Sequence, residues 1–389
     1  MHGGTEGRAV AGSAPDRPLS QPLSANPTSI AYYITAHGYG HGVRSCDIIR
    51  ALNTLRPEMR IVLVSDLPES FFRNRVDLVA NSLRPGSFDS GMVQLDSIRV
   101  DVEATLGEVE SLLSRWGEFL QQERRFLREQ GIGLVVSDIP AIPIEAAVTQ
   151  GIPALAVGNF GWDWIYSAYA AKDARWQPAV EAYQRGYSKA DLLLRLPFAE
   201  EMNAFPRKED IPVVAHAGRK RRTEIASLAG CSPECRWVLL SFTTLEWDAA
   251  ALDKVEELAD YQFFTVLPLQ WKRKNIFAIH RDQVAFSDVV ASVDCVLSKP
   301  GFGIISECAV NRKPLIYADR SDFLEYPVLE SAIKKYLKNL HIPVDMLYRG
   351  ELRAALEAVW GGKEPAFSAP AGGAQIAASR ILSKTDVRH

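Results

Sequence analysis

One pattern occurs twice in this chain and leaves few folds open to it. A short apolar run, a turn marked by proline or glycine, a helix-like segment and a second apolar run follow one another in both halves. In the first half, Ser137-Asp138-Ile139-Pro140 ends a run at 133–136, Glu145-Ala146-Ala147 follows, and Pro153 opens the run 154–157. In the second half, Ser298-Lys299-Pro300 ends a run at 294–297, Glu307-Cys308-Ala309 follows, and Pro314 opens the run 315–318. The Ser-to-Pro separation is 16 residues in both. Unbroken apolar runs belong to strands covered on both faces, and strand–helix–strand alternation makes those strands parallel. The pattern predicts an α/β protein of two Rossmann-like parallel-sheet domains facing each other across a cleft.

The remaining segments extend this reading. The run 29–34 is followed by His37-Gly38-Tyr39-Gly40-His41-Gly42, by apolar residues at helical spacing over 45–52, and by a strand at 60–65. Residues 103–130 and 143–150 read as helices, and 237–242 and 261–267 as strands. Proline breaks at Phe205-Pro206 and Ile211-Pro212 divide the 389 residues into a first domain at 29–205 and a second at 206–389. Residues 1–28, rich in Gly, Ser, Pro and Ala, read as a disordered tail without the apolar core of a secretion signal. No run approaches the roughly 18 apolar residues of a membrane span, so a cytoplasmic protein is expected.

The net charge of −3 gives no general attraction to nucleic acid. The basic runs at 219–222 and 272–274 read as solvated faces, with peripheral contact to an anionic membrane as the other reading. Five cysteines, an odd number in a long chain, predict no disulfide framework, and Cys231 and Cys235 lack the second pair a zinc site needs.

Ligands of such sheets sit beyond the carboxyl ends of the strands, which singles out the loops at 37–42 and 298–307. Gly301 and Gly303 let backbone approach a ligand, and the helix after them offers free N–H groups to a diphosphate. Lys299 adds a cation, and Glu307, one turn on, is placed to accept from ribose hydroxyls. An ordinary packing turn is the competing reading. Asp138, at a strand end, is a candidate to orient a histidine, to bind acceptor, or to cap a helix. Asp163 sits among Trp162, Trp164 and Tyr166, a cluster that suits a sugar ring or a core.

Residues 298–320 resemble the donor-binding region of GT-B glycosyltransferases related to the peptidoglycan N-acetylglucosaminyltransferase family. A closer resemblance, over most of 30–340, is to the glycosyltransferase-like domain joined to plant-type L-arabinokinases. It is carried by Tyr33-Ile34-Thr35-Ala36-His37-Gly38-Tyr39-Gly40-His41, by Asn159-Phe160-Gly161-Trp162-Asp163-Trp164-Ile165-Tyr166 and by Lys299-Pro300-Gly301-Phe302-Gly303. The galactokinase-like phosphate loop of their kinase half is not found.

The resemblance implies a donor site in which Gly301, Phe302 and Gly303 form the diphosphate turn. Ser306 falls on the phosphate position, Glu307 on the ribose position, Asp322 and Glu325 near the donor sugar, and Phe286 near the base. Ser241 and Thr243 stand where relatives carry a second glycine turn, and their hydroxyls would replace it. His41 is the first choice as general base toward the acceptor, a role suited to a side chain titrating near neutrality. His37 is the second choice, or a contact to donor phosphate or acceptor, with Gly38, Gly40 and Asp163 on the acceptor side. The implied reaction moves a sugar from a nucleoside diphosphate sugar, a UDP-sugar, to an unknown acceptor hydroxyl, with no other cofactor and no metal. Two other readings stay open. One is a non-catalytic sugar-nucleotide-binding or regulatory protein. The other is a GT-B-shaped sugar-nucleotide epimerase using Asp138, Asp163 or Asp322.

Overall fold

The computed structural model describes residues 29–95, 99–320 and 323–385. Seven strands form the first sheet: β1 (Ser29–Ile34), β2 (Ile61–Val64), β3 (Asn81–Arg84), β4 (Ile132–Asp138), β5 (Ala154–Gly158), β6 (Leu192–Arg195) and β7 (Lys208–Asp210). Their spatial order is β3-β2-β1-β4-β5-β6-β7, with every neighbouring pair parallel. Six strands form the second: β8 (Arg236–Ser241), β9 (Tyr261–Val266), β10 (Ile276–Ile279), β11 (Cys295–Ser298), β12 (Leu315–Ala318) and β13 (Asn339–Ile342). Their order is β10-β9-β8-β11-β12-β13, again all parallel.

Side chains alternate faces along a strand, and each central strand therefore feeds two cores. Ala31 and Tyr33 of β1 enter one core of the first half, while Ile30, Tyr32 and Ile34 enter the other. Val238 and Leu240 of β8 face one core of the second half, and Trp237 and Leu239 the opposite one. Burial on both faces is why these strands carry no polar alternation.

The chain order reverses between β1 and β4 in the first sheet and between β8 and β11 in the second. At the first reversal Ile34 lies beside Asp138, and at the second Ser241 lies beside Ser298. These are the two points where crossovers leave in opposite directions and open a crevice.

Three features depart from the sequence reading. The helical stretch at 103–130 is two helices, Val102–Ser114 and Trp116–Glu129, broken at Arg115. Just past the break, Trp116 is buried and its Nε1–H donates to Glu145 (3.0 Å). The edge strands β3, β7, β10 and β13 were not foreseen; edge pairing rather than an apolar run makes β3, β7 and β13 strands, β7 reading Lys-Glu-Asp, while β10 is a four-residue apolar run, Ile-Phe-Ala-Ile. Finally, the division foreseen at 205/206 meets β7, which pairs with β6 of the first sheet. The last helix, Gly373–Thr385, also returns to the first half. There Ala377, Ala378, Ile381 and Leu382 pack in the core with Ile48, Ile49 and Leu52 of the helix Tyr39–Leu55. Its apolar stripe finds a hydrophobic partner there, which proximity in sequence could not reveal.

Among the described residues no helix is long and apolar enough to cross a membrane. All five cysteines are free, and Cys46, Cys295 and Cys308 are buried. In the basic run at 219–222, Arg221 pairs with Glu224 and Asp288, Arg219 with Asp288 (3.4 Å) and Arg222 with Asp294 (3.0 Å).

Candidate functional site

The helix Tyr39–Leu55 follows β1 with Gly38 as its cap residue, and no side chain caps its first turn. His41 lies in that turn. Asp138, at the carboxyl end of the neighbouring β4, is fully buried, and His41 Nδ1 stands 2.8 Å from its Oδ1. Arg44, one helical turn after His41, donates to the same carboxylate from Nε (2.7 Å to Oδ2) and from Nη2 (2.5 Å to Oδ1). Ser45 Oγ donates to Oδ2 (2.9 Å), and Arg44 Nη1 donates to Asn159 Oδ1.

Burial alone would raise the Asp138 pKa. The Arg44 guanidinium and His41 outweigh it and hold the carboxyl well below the usual range. Burial and then Arg44 push His41 down, with Asp138 pulling the other way, so the imidazole is neutral at physiological pH. A neutral imidazole oriented by a carboxylate can accept a proton from a bound hydroxyl.

His37 does not join this pair. Its Nε2 accepts the Met92 N–H, and its ring meets Trp162 edge-on with centroids 5.0 Å apart. Burial pushes its pKa down to about 4. Gly91 makes room for it: its φ is +65°, and a Cβ there would lie 1.2 Å from His37 Nε2. His37 is therefore neutral, and its Nε2 is already occupied. Trp162 Nε1–H donates in turn to Asp89 (2.9 Å), which also accepts from Thr35 Oγ1 (2.9 Å). Asp163 is buried, and burial pushes its pKa up to about 6 against bonds from its own helix's backbone and from Gln184. Its carboxylate is thus spent within the first half.

In the second half the helix Phe302–Asn311 starts at Gly301, again with no side-chain cap. A Cβ built on Gly38 or on Gly301 would meet nothing within 4 Å, so both helix-cap positions face open space. The two helix starts meet at Gly40 and Gly303, where a Cβ on Gly303 would lie 3.5 Å from the Gly40 Cα. Phe302 stacks on Phe160 of the first half (centroids 5.8 Å apart, 21° between planes). Arg320 Nη1 donates to Pro300 O (3.3 Å), and its guanidinium lies 3.1 Å from the centre of the Phe323 ring. Burial pushes the Arg320 pKa down to about 10.

The other second-half candidates divide. Ser241 O accepts from Ser298 Oγ (2.8 Å), and Thr243, just beyond β8, is exposed. Ser306 is half-buried in the second turn of the helix. Burial pushes the Glu325 pKa up, against the opposing charges of Arg320 and Lys299, which puts these three charged groups near one another behind the glycine turn. Glu307 is buried, with Asn311 Nδ2 3.5 Å away. Burial pushes its carboxyl up to about 7, opposed by His216 and reinforced by Asp47 of the first half. Phe286 opens the helix Phe286–Ser292 and packs against the second-half core. Asp322 lies outside the described residues.

The sequence reading missed Arg44, Ser45, Asn159, Asp89 and Arg320. Arg44 carried a usable signal: it lies three residues after His41, on the same helix face. Asn159 stood in a segment that carries the family resemblance but was given no role there, and Asp89 carried no signal, because only the fold brings them to this cluster.

No family model matches the chain. It is 28% identical over 376 residues to the L-arabinokinase of Arabidopsis thaliana, a likeness covering 92% of this chain. The chain spans about a third (34%) of the length of that curated relative. Among solved structures, it is similar to the glycosyltransferase of kitacinnamycin (TM-score 0.58, 15% identity, covering 93% of this chain and 95% of that one). It is also similar to a UDP-glucosyltransferase from Polygonum tinctorium that glucosylates indoxyl (TM-score 0.58, 13% identity, covering 93% of each chain). With two all-parallel sheets meeting at their switch points, the chain has the GT-B glycosyltransferase fold.

Proposed function

We propose that this protein transfers a sugar from a nucleoside diphosphate sugar, a UDP-sugar, to the hydroxyl of an acceptor. The observation that supports it is the meeting of two uncapped helix starts at Gly40 and Gly303, with the His41–Asp138 pair in the first turn of one of them. Unpaired N–H groups and the positive helix ends favour a diphosphate, and Lys299 and Arg320 stand near the second helix start. His41 Nε2 takes the acceptor proton as the acceptor oxygen attacks the anomeric carbon. The bond from that carbon to the diphosphate oxygen breaks, and its electron pair leaves with the diphosphate. Amides preorganised toward the leaving group stabilise that developing charge in the transition state. The resulting imidazolium pairs with Asp138. The UDP donor is taken from the name of the Polygonum tinctorium relative. The expected setting is the cytoplasm, with no role for nucleic acid.

A second reading, a sugar-nucleotide-binding unit without turnover, draws on one fact. The Arabidopsis relative is named for a kinase activity, and this chain spans a third of it. Thermal-shift titration with UDP, GDP, TDP and their sugars tests both readings, since a ligand at a hundred times its Kd stabilises by about 2.7 kcal/mol. Transfer assays then separate them. Stabilisation by one nucleotide together with sugar transfer upholds the leading reading, and stabilisation without transfer upholds the second. No stabilisation by any nucleotide removes both.

A further inference from the structure

A general base oriented by a carboxylate does not need an arginine against the same carboxylate, yet Arg44 sits there, buried. Its Nε and Nη2 take both oxygens of Asp138 at 2.7 and 2.5 Å. The same Nη2 stands 2.9 Å from His41 Nδ1, which is itself 2.8 Å from Asp138 Oδ1. Nη2 carries two protons, and it can donate to Nδ1 only when Nδ1 has no proton, whereas Nδ1 can donate to Oδ1 only when it has one, so these two contacts exclude each other. The arrangement is satisfied when Nδ1–H and Nη2–H both donate to the carboxylate. The lone pair is then left on Nε2.

We propose that Arg44 is a positioning residue for His41. It holds Asp138 as an anion in the orientation that accepts from Nδ1–H, and its fixed charge beside the ring disfavours the imidazolium.

The charged and titratable groups facing His41 are Asp138 from β4, Arg44 from its own helix, His37 from the preceding loop and Asp89. His37 is neutral, and the Asp89 carboxylate already accepts from Thr35 and Trp162. The protonation of His41 is therefore a contest between Asp138, which favours the imidazolium, and Arg44, which opposes it twice: directly, and by neutralising Asp138. Asn159 Oδ1 accepts from Nη1, and its own Nδ2 donates to Pro197 O (2.6 Å), which anchors the guanidinium from a third side. The consequence for turnover rests on the glycosyl-transfer reading: Nε2 stays available to more acidic pH than an unopposed histidine–carboxylate pair would allow.

The test is a titration of the full chain labelled with 15N-histidine, with the His41 resonance assigned by its loss in His41→Gln. Wild type should carry the proton on Nδ1 and titrate below the ordinary histidine value of 6.5. In Arg44→Met the midpoint should rise by about one unit or more, the shift a neighbouring charge produces. Arg44→Gln, which keeps hydrogen-bond donors for Asp138 and so protects the fold, should rise as well. A midpoint unmoved in either variant overturns the proposal, as does a wild-type ring protonated on Nε2. If neither variant folds, the wild-type tautomer and midpoint decide alone. The titration needs no substrate, so absence of sugar transfer would defeat the proposed function and leave this assignment standing. Where transfer is found, the acid limb of kcat/KM should move up with the titration in the same variants.

Discussion

The two switch points share a topology and differ in what the chain places there. At the first, between β1 and β4, the crevice is lined by side chains that satisfy one another: His41, Arg44 and Ser45 converge on Asp138, and Arg44 reaches Asn159. At the second, between β8 and β11, backbone dominates. Gly301 and Gly303 open an uncapped helix, Ser298 is bonded to Ser241 O, and Arg320 reaches round to Pro300 O. A saturated side-chain network holds a proton in one place. An uncapped helix start waits for an anion. On the proposed reading, the first half would handle protons and the second the charge on a leaving group.

The sharpest way to break the contrast is His41→Gln. It should lower kcat by about 10²–10⁴-fold, the range for a lost general base, while the nucleotide-induced thermal shift stays at the wild-type value. A parallel loss of nucleotide stabilisation would mean the two switch points are not separate in role. Next comes Asp138→Ala, which leaves Arg44 buried without its partner. Urea unfolding should show a loss of about 3–5 kcal/mol, the cost of breaking a buried pair on one side. A loss near zero would show the network to be solvated.

Smaller effects sharpen the second half. Gly303→Val puts a branched side chain against the Gly40 backbone and should raise the nucleotide Kd about tenfold, or 1.4 kcal/mol. Gly301→Ala, whose methyl enters the open space proposed for the diphosphate but touches nothing of the first half, should weaken binding less than Gly303→Val. Equal weakening in both would assign the effect to backbone flexibility rather than to the contact between halves.

The smallest expected effect is at Glu307. Its folded pKa, about 7, lies above its ordinary 4.5. The folded state therefore retains a proton the unfolded chain has lost, and the resulting stability is complete below 4.5 and lost as pH rises through 7. Glu307→Gln should raise Tm by about 2–4 °C at about pH 8 and leave it unchanged at about pH 4. A gain at both pH values would point to packing instead of charge.

The sequence by itself determined the two parallel sheets. Strands buried on both faces must be written as unbroken apolar runs, and β1, β4, β5, β11 and β12 are. Both crevice loops were legible too, because the glycines at 38, 40, 301 and 303 mark where backbone can be approached closely at the start of a helix. His41 and Asp138 were legible as residue types at strand and helix ends.

The tertiary structure decided the rest. It separated His41 from His37, which look equivalent four residues apart but differ in which nitrogen is engaged: Nδ1 by the Asp138 carboxylate in His41, Nε2 by the Met92 N–H in His37. It brought Arg44 onto the Asp138 carboxylate and Asn159, far away in sequence, onto Arg44, and it sent the last helix back to the first half. Hydrogen bonds across long sequence separations depend on three-dimensional proximity, while strand burial and glycine turns act within a few residues. That difference in range is why local pattern predicted the fold and could not predict the proton.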